Sequence, residues 1–306
     1  MKIYKTNEIK NIALLGSKGS GKTTLAESML YECGVIKRRG TIEAGNTVCD
    51  YFPVEKEYGY SVFSTVFYAE FLNKKLNVID CPGADDFVGN AITALNVTDT
   101  GVIVINGQYG VEVGTQNIFR TASSIKKPII FAINQLDGEK ADYDNVIEQM
   151  KEIFGSKVVP IQYPLQCGPG FNAMVDVLLM KKYSWGPDGG VPVIEDIPAE
   201  EMERAMELHK ALVEAAAAAH TEYLCKALFA ATGHIIKVGA GTQGTAHHLK
   251  VAHFSDMRLN GSLEHEHTER AVGLRLYSVA GRVHWSRHIF NERNHIAKEF
   301  HHAAHT

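Results

Sequence analysis

Gly16-Ser17-Lys18-Gly19-Ser20-Gly21-Lys22-Thr23 matches the spacing G-x-x-x-x-G-K-[ST], a loop that cradles phosphate groups between a strand and a helix. The flanks agree with it. Asn11 to Leu15 reads as a short buried strand feeding the loop, and Thr23 to Leu30 continues as a helix with Leu25, Met29 and Leu30 on one face. Gly16, Gly19 and Gly21 let the backbone wrap around an anion, so that N–H groups and the helix N-terminus point at phosphate oxygens. Lys22 supplies a cation to the β- and γ-phosphates and the Thr23 hydroxyl a ligand to Mg²⁺. Ser17, Lys18, Ser20 and Thr24 complete the expected nucleotide-contacting set. An ordinary glycine-rich turn is the alternative, disfavoured by both flanks.

The chain has 306 residues, a formal charge of −4 and a hydrophobic fraction of 45%, which suits one large or two modest soluble domains with a sizeable core. No apolar run of about 18 residues occurs, and Met1 to Glu8 lacks a signal-peptide apolar region, so the expectation is a cytoplasmic protein without a membrane partner. Cys33, Cys49, Cys81, Cys167 and Cys225 are dispersed without C-x-x-C spacing and read as thiols of a reducing compartment. The slightly acidic balance gives no reason to expect sequence-specific nucleic-acid binding.

Strand and helix patterns alternate through the first half, which argues an α/β fold with a mostly parallel sheet flanked by helices. Tyr60 to Phe71 reads as one long strand, paired in a hairpin with Lys75 to Asp80. Buried strands are expected at Gly101 to Asn106 and Pro128 to Asn134, and helices at Asp85 to Asn96, Gly114 to Ser124 and Asp144 to Phe154. Beyond these, Lys157 to Leu165 reads as a strand, Phe171 to Met180 as a helix, and Trp185 to Gly190 as the turn of a hairpin. Pro198-Ala199-Glu200-Glu201 opens a long helix with Met202, Met206, Leu208 and Leu212 on its apolar side. All 14 histidines lie from His209 onward. The expected organisation is a nucleotide-binding core at 1–156, an insert at 157–230 and a histidine-rich tail at 231–306.

Two further motifs select the nucleotide. Asp80-Cys81-Pro82-Gly83 closes a predicted strand about sixty residues after the loop, where an aspartate linked to the metal and a glycine sensing the γ-phosphate belong. A plain turn built on Pro82 and Gly83 is compatible with that role. Asn134-Gln135-Leu136-Asp137 ends the next strand but one and fits N-[KQ]-x-D. A carboxylate at Asp137 accepts two hydrogen bonds from the N1 and N2 donors of guanine, which adenine does not offer in that geometry. Gln135 replaces the commoner lysine, and modestly weaker binding is expected.

Taken with Gly45 to Tyr51 and Tyr109 to Gln116, these motifs resemble bacterial elongation factor G, the ribosomal translocase. Val159 to Gln162, Lys182 to Trp185 and Ile194 to Ala199 resemble the insert that this family carries within its GTPase domain. The resemblance runs from about Lys10 to Leu212, at the outside to Phe229. It implies a P-loop GTPase domain with part of the family's α/β insert subdomain, GTP or GDP and Mg²⁺ as ligands, and the ribosome as the partner that triggers hydrolysis.

The sequence departs from the family at the hydrolytic positions. Ala84 stands where the family places a histidine that orients the attacking water, so no catalytic residue is assigned there; such groups contribute about 10²- to 10⁴-fold. Asp85 filling that role is the alternative. The family pattern E-R-G-I-T becomes Glu57-Tyr58-Gly59-Tyr60-Ser61, which leaves Ser61 as a Mg²⁺ ligand beside Thr23 and Asp80 but puts Tyr58 in place of the arginine. The reading is GTP bound and hydrolysed slowly, with lineage drift in a working GTPase as the bland alternative. Other readings are a non-hydrolysing ribosome-binding module, a ribosome-protection protein, or a fragment without function. The nearest candidate for the fifth nucleotide motif is Val238 to Thr242. His247-His248, His265-Glu266-His267 and His301-His302 suggest metal binding less well than an aberrant or foreign extension.

Overall fold

The computed structural model describes residues 2–155, 158–186 and 189–219, together with four short strands, Ile235–Lys237, Lys250–Ala252, Tyr277–Val279 and Arg282–His284. Its first layer is a sheet of β1 (Ile9–Leu15), β2 (Thr65–Phe71), β3 (Lys74–Asp80), β4 (Thr100–Asn106) and β5 (Ile129–Asn134), in the order β2-β3-β1-β4-β5. β3, β1, β4 and β5 run parallel, and β2 is antiparallel to β3. The parallel strands are apolar on both faces, as a sheet covered on both sides requires. Ile12, Leu14, Val102 and Val104 pack with Leu25, Met29 and Leu30 of α1 (Lys22–Glu32). Ala13, Leu15, Ile103 and Ile105 pack on the other side with Ala91, Ala94 and Leu95 of α3 (Val88–Val97) and Ile118 of α4 (Val113–Ser124). Between α1 and the hairpin lies a short helix, α2 (Pro53–Tyr58), and α5 (Tyr143–Phe154) follows β5.

A second, antiparallel sheet holds β6 (Gln162–Pro164), β7 (Ala173–Asp176), β8 (Lys181–Gly186) and β9 (Gly189–Glu195) in chain order, and α6 (Ala199–Ala219) follows it. Tyr163, Met174, Val175, Tyr183 and Trp185 form its core with Ala205 of α6 and, from the first sheet's last loop, Leu136.

Three expectations fail here. Phe171 to Met180 is not a helix but β7 and a turn, because every residue of β7 is buried and the run has no period to read. Of the strand expected over Lys157 to Leu165, Lys157 lies outside the described residues and, from Val158 on, only Gln162–Pro164 is strand. The strand expected from Tyr60 starts only at Thr65, because the Glu55 carboxylate takes the N–H groups of Val62 and Phe63 at 3.0 and 3.1 Å. The helix after Gly83 begins with a 3₁₀ turn, Asp85–Phe87, before α3.

Candidate nucleotide site

The parallel strands β1, β3, β4 and β5 end at Leu15, Asp80, Asn106 and Asn134, and the motifs lie just beyond those ends, where α/β sheets bind ligands. Gly16 has φ 130° and a Cβ there would overlap Val104 O. Gly21, at φ 92°, caps α1 in the left-handed region, with Asn134 Nδ2 filling the space a Cβ would need. Lys22 is buried beneath the loop, its ammonium donating to Gly16 O at 3.0 Å and Ser17 O at 2.9 Å. Burial pushes its pKa down, and the Asp80 carboxylate opposes that shift.

On the metal side, Thr23 Oγ1 donates to Asp80 Oδ2 at 2.8 Å and lies 3.1 Å from Ser61 Oγ, which donates to Asp50 Oδ1 at 2.7 Å. Asp80 Oδ1 and Asp50 Oδ2 are buried without a hydrogen-bond partner. Burial pushes Asp80 up to about 6 even with Lys22 nearby, and burial raises Asp50 as well, against the Ser61 hydrogen bond. Two carboxylates with orphaned oxygens and two hydroxyls are a hard oxygen set of the kind Mg²⁺ takes. Thr23, Asp80 and Ser61 therefore fit the metal, and Asp50 joins them. Asp50 lies within the stretch Gly45 to Tyr51 that carries part of the family resemblance, yet its position there reveals no role until the loop folds back.

Two buried glutamates shape that loop. Glu27 of α1 accepts hydrogen bonds from the backbone N–H groups of Gly40, at 2.8 Å, and Val48. Glu55 accepts from Phe52 N at 3.2 Å as well as from Val62 and Phe63. Neither was legible as a loop anchor from sequence.

Gly83 lies against the phosphate loop: a Cβ on it would sit 2.7 Å from both Lys18 N and Ser17 C and would overlap Lys22 Nζ. Pro82 beside it is buried, and Ala84 opens the 3₁₀ turn with a half-buried methyl. Asp85 reaches Gly114 at the start of α4, and Tyr58 is 61% exposed on α2. Ser17 Oγ lies 3.1 Å from Thr115 Oγ1 of α4, tying the loop to that helix. Glu112, just before α4, has its pKa raised by burial and lowered by Lys22 and Ser17.

The base side is built from amides. Asn134 Nδ2 donates to Ser20 O at 3.0 Å, Gln135 Nε2 to Gly19 O at 2.9 Å, and Asn106 Nδ2 to Gln135 Oε1 at 2.6 Å. Gln135 thus braces the phosphate loop, with its own backbone at φ 59°. Asn106 joins this cluster through Gln135, and the sequence did not announce it. Leu136 is buried in the core of the second sheet, and its carbonyl accepts from Gly168 N at 2.8 Å. Asp137 follows in the turn, half-buried. Thr24 lies in the first turn of α1, its carbonyl taken by Ser28 Oγ at 3.0 Å. Val238 to Thr242 and the histidine clusters of the tail lie outside the described residues.

A phosphate loop, an aspartate-to-glycine turn and an asparagine-aspartate box at adjacent strand ends define the class, a P-loop nucleotide-binding domain. The profile of the Elongation factor Tu GTP binding domain matches residues 7–258, reaching past Phe229. The chain belongs to this family of GTP-binding domains. It is 36% identical over 206 residues to the elongation factor G-like protein of Thermotoga maritima, covering 67% of this chain and 29% of that one. It is 33% identical over 208 residues to elongation factor G 1 of Syntrophomonas wolfei, covering 68% of this chain and 31% of that one. The chain therefore spans under a third of the length of these relatives. A crystal structure from Thermus thermophilus superposes with a TM-score of 0.66 at 30% identity, over 76% of this chain and 34% of that one. No helix among the described residues is long and apolar enough to cross a membrane.

Proposed function

We propose that this chain is the GTP-binding part of an elongation-factor-G-like translation factor that works on the ribosome in the cytoplasm, and that it holds GTP while hydrolysing it slowly. One observation supports the reading: the phosphate loop, Asp80 and Asn134 meet at adjacent strand ends, whereas Ala84 puts a methyl where the family resemblance calls for a water-orienting side chain. Gly16 to Thr24 surround the phosphates, and Lys22 faces their charge. Thr23, Ser61, Asp50 and Asp80 would hold Mg²⁺, which would supply positive charge against the phosphates. Asn134 fixes the base loop to Ser20 O, and Asp137 accepts from the guanine edge. A methyl neither donates nor accepts a hydrogen bond, and Tyr58 brings no cation to the γ-phosphate. Loss of one water-positioning group lowers the rate by about 10²- to 10⁴-fold.

The test starts with titrations of mant-GTP against mant-ATP, followed by single-turnover phosphate release with and without ribosomes. Tight mant-GTP binding, weak mant-ATP binding and slow release that Ala84→His accelerates are expected. Release on ribosomes as fast as that of a histidine-bearing relative would sink the slow-hydrolysis reading. Equal affinity for the two nucleotides removes the guanine assignment. The same intact grip favours a second reading, a GTP-dependent ribosome-binding module without turnover, which predicts ribosome binding with no release at all.

A further inference from the structure

The phosphate loop carries a second cation, counted above among the nucleotide contacts but given no task of its own. Lys18 is exposed, and its ammonium lies 3.5 Å from the centroid of the Tyr60 ring. The Tyr60 ring is half-buried but the Lys18 side is open to solvent, and a cation held there by a ring alone exchanges readily for a fully charged anion. The placement of the pair is informative. On one side the Lys18 backbone N–H abuts Gly83, and on the other Tyr60 precedes Ser61, which is joined to Thr23 and Asp50. Lys18 therefore lies between Gly83, the expected γ-phosphate sensor, and the segment that carries Ser61, an expected ligand of the metal. Lys22 is differently engaged, with its ammonium already donating to Gly16 O and Ser17 O.

We propose that Lys18 reads the third phosphate. Its ammonium leaves the Tyr60 ring for the γ-phosphate oxygens, so the chain favours a nucleoside triphosphate over the diphosphate, and Tyr60 holds the cation only while the third phosphate is absent. The role belongs to this loop because the neighbouring segment offers Tyr58 where a cation would stand. The inference rests on the guanine-nucleotide reading, and the test separates the two.

Mant-GDP and mant-GTPγS are titrated against the full chain, its Lys18→Met, Lys18→Arg and Tyr60→Leu variants, and the Lys18→Met/Tyr60→Leu double variant. Lys18→Met is expected to weaken mant-GTPγS binding about tenfold, the scale of one charge-assisted contact, and mant-GDP by less than about twofold. Lys18→Arg keeps the triphosphate preference. Tyr60→Leu removes the ring that competes for the ammonium in the free chain, so it tightens mant-GTPγS about two- to threefold and changes nothing on top of Lys18→Met. Equal weakening of both nucleotides by Lys18→Met, or of neither, overturns the role of Lys18, and a Tyr60→Leu effect that persists in the Lys18→Met background overturns its pairing with Tyr60. A wild-type chain that binds neither nucleotide overturns the underlying reading instead. Lys18 is exposed, so its variants should melt with the wild type, separating a lost contact from a lost fold.

Discussion

The two ends of the nucleotide site are held by opposite means. At the phosphate end, Lys22, Asp50, Asp80 and Glu27 are charged and buried. At the base end, Asn106, Asn134 and Gln135 are neutral amides that bond to one another and to the loop, while Leu136 anchors the box in the second sheet's core. Buried charge is costly until a counter-charge arrives, so the phosphate end is built to be completed by its ligand. Satisfied amides and an apolar anchor need no ligand, so the base end is preformed.

The largest expected effect breaks the phosphate end. Lys22→Ala takes the ammonium away from the phosphates and should weaken mant-GDP binding by more than about 100-fold, since truncating one partner of a desolvated charge pair in a complex costs roughly 2–5 kcal/mol. An unchanged titration would dissolve the contrast. Next comes the reading edge of the base end. Asp137→Asn should lower guanine-nucleotide affinity about tenfold to 100-fold, the scale of hydrogen bonds to a charged group, and should shift preference toward xanthine nucleotides, whose C2 carbonyl an amide donor satisfies. Melting of that variant should match the wild type.

Asp80 provides a pH test. Its pKa in the fold, about 6, lies above the ordinary 3.8 because it is buried, so the folded chain holds the proton more tightly than the unfolded one. That contribution favours the fold fully below about pH 4 and is lost as pH rises through about 6, on the order of 2–3 kcal/mol. Asp80→Asn should therefore raise the melting temperature of the nucleotide-free chain at pH 7.5 and have little effect near pH 4.5. It should also abolish the gain in nucleotide affinity that Mg²⁺ brings. The smallest effect probes how the insert docks on the base end. Arg204 of α6 pairs with Asp144 of α5 on a partly exposed surface, so Arg204→Ala should cost under about 1 kcal/mol in denaturant melts, with guanine selectivity unchanged. Arg204 also lies 4.5 Å from the Tyr163 ring centroid, so a larger loss would be ascribed to the ion pair only if Asp144→Ala, which spares that ring contact, reproduced it.

The first sheet was legible because its signals are local. A glycine loop between strand and helix, and continuous apolar runs ending in Asp80 or Asn134, each declare themselves within a few residues. The second sheet was harder. Its hairpin at Gly186 and the long α6 follow from turn residues and a proline start, but β7, with Ala173, Met174 and Val175 buried alike, carries no pattern that separates strand from helix. The site divides in the same way. Thr23, Asp80 and Asn134 belong to motifs, whereas Asp50, Glu55 and Asn106 act through contacts that exist only after the chain folds back on itself. Glu55 in particular looks like a surface helix residue until its carboxylate is found holding the backbone of Val62 and Phe63.

The hydrogen bond from Asn134 to Ser20 O joins positions 114 residues apart, and Asn134 Nδ2 fills the space beside Gly21 that a side chain would occupy. During synthesis, then, the phosphate loop leaves the ribosome long before the residue that braces it. Order in the cradle waits for β5 to add to the sheet, a long-range pairing of the kind that forms late. The first moment at which a growing chain retains nucleotide therefore marks the docking of β5, and a fluorescent nucleotide becomes a clock for the folding of this domain.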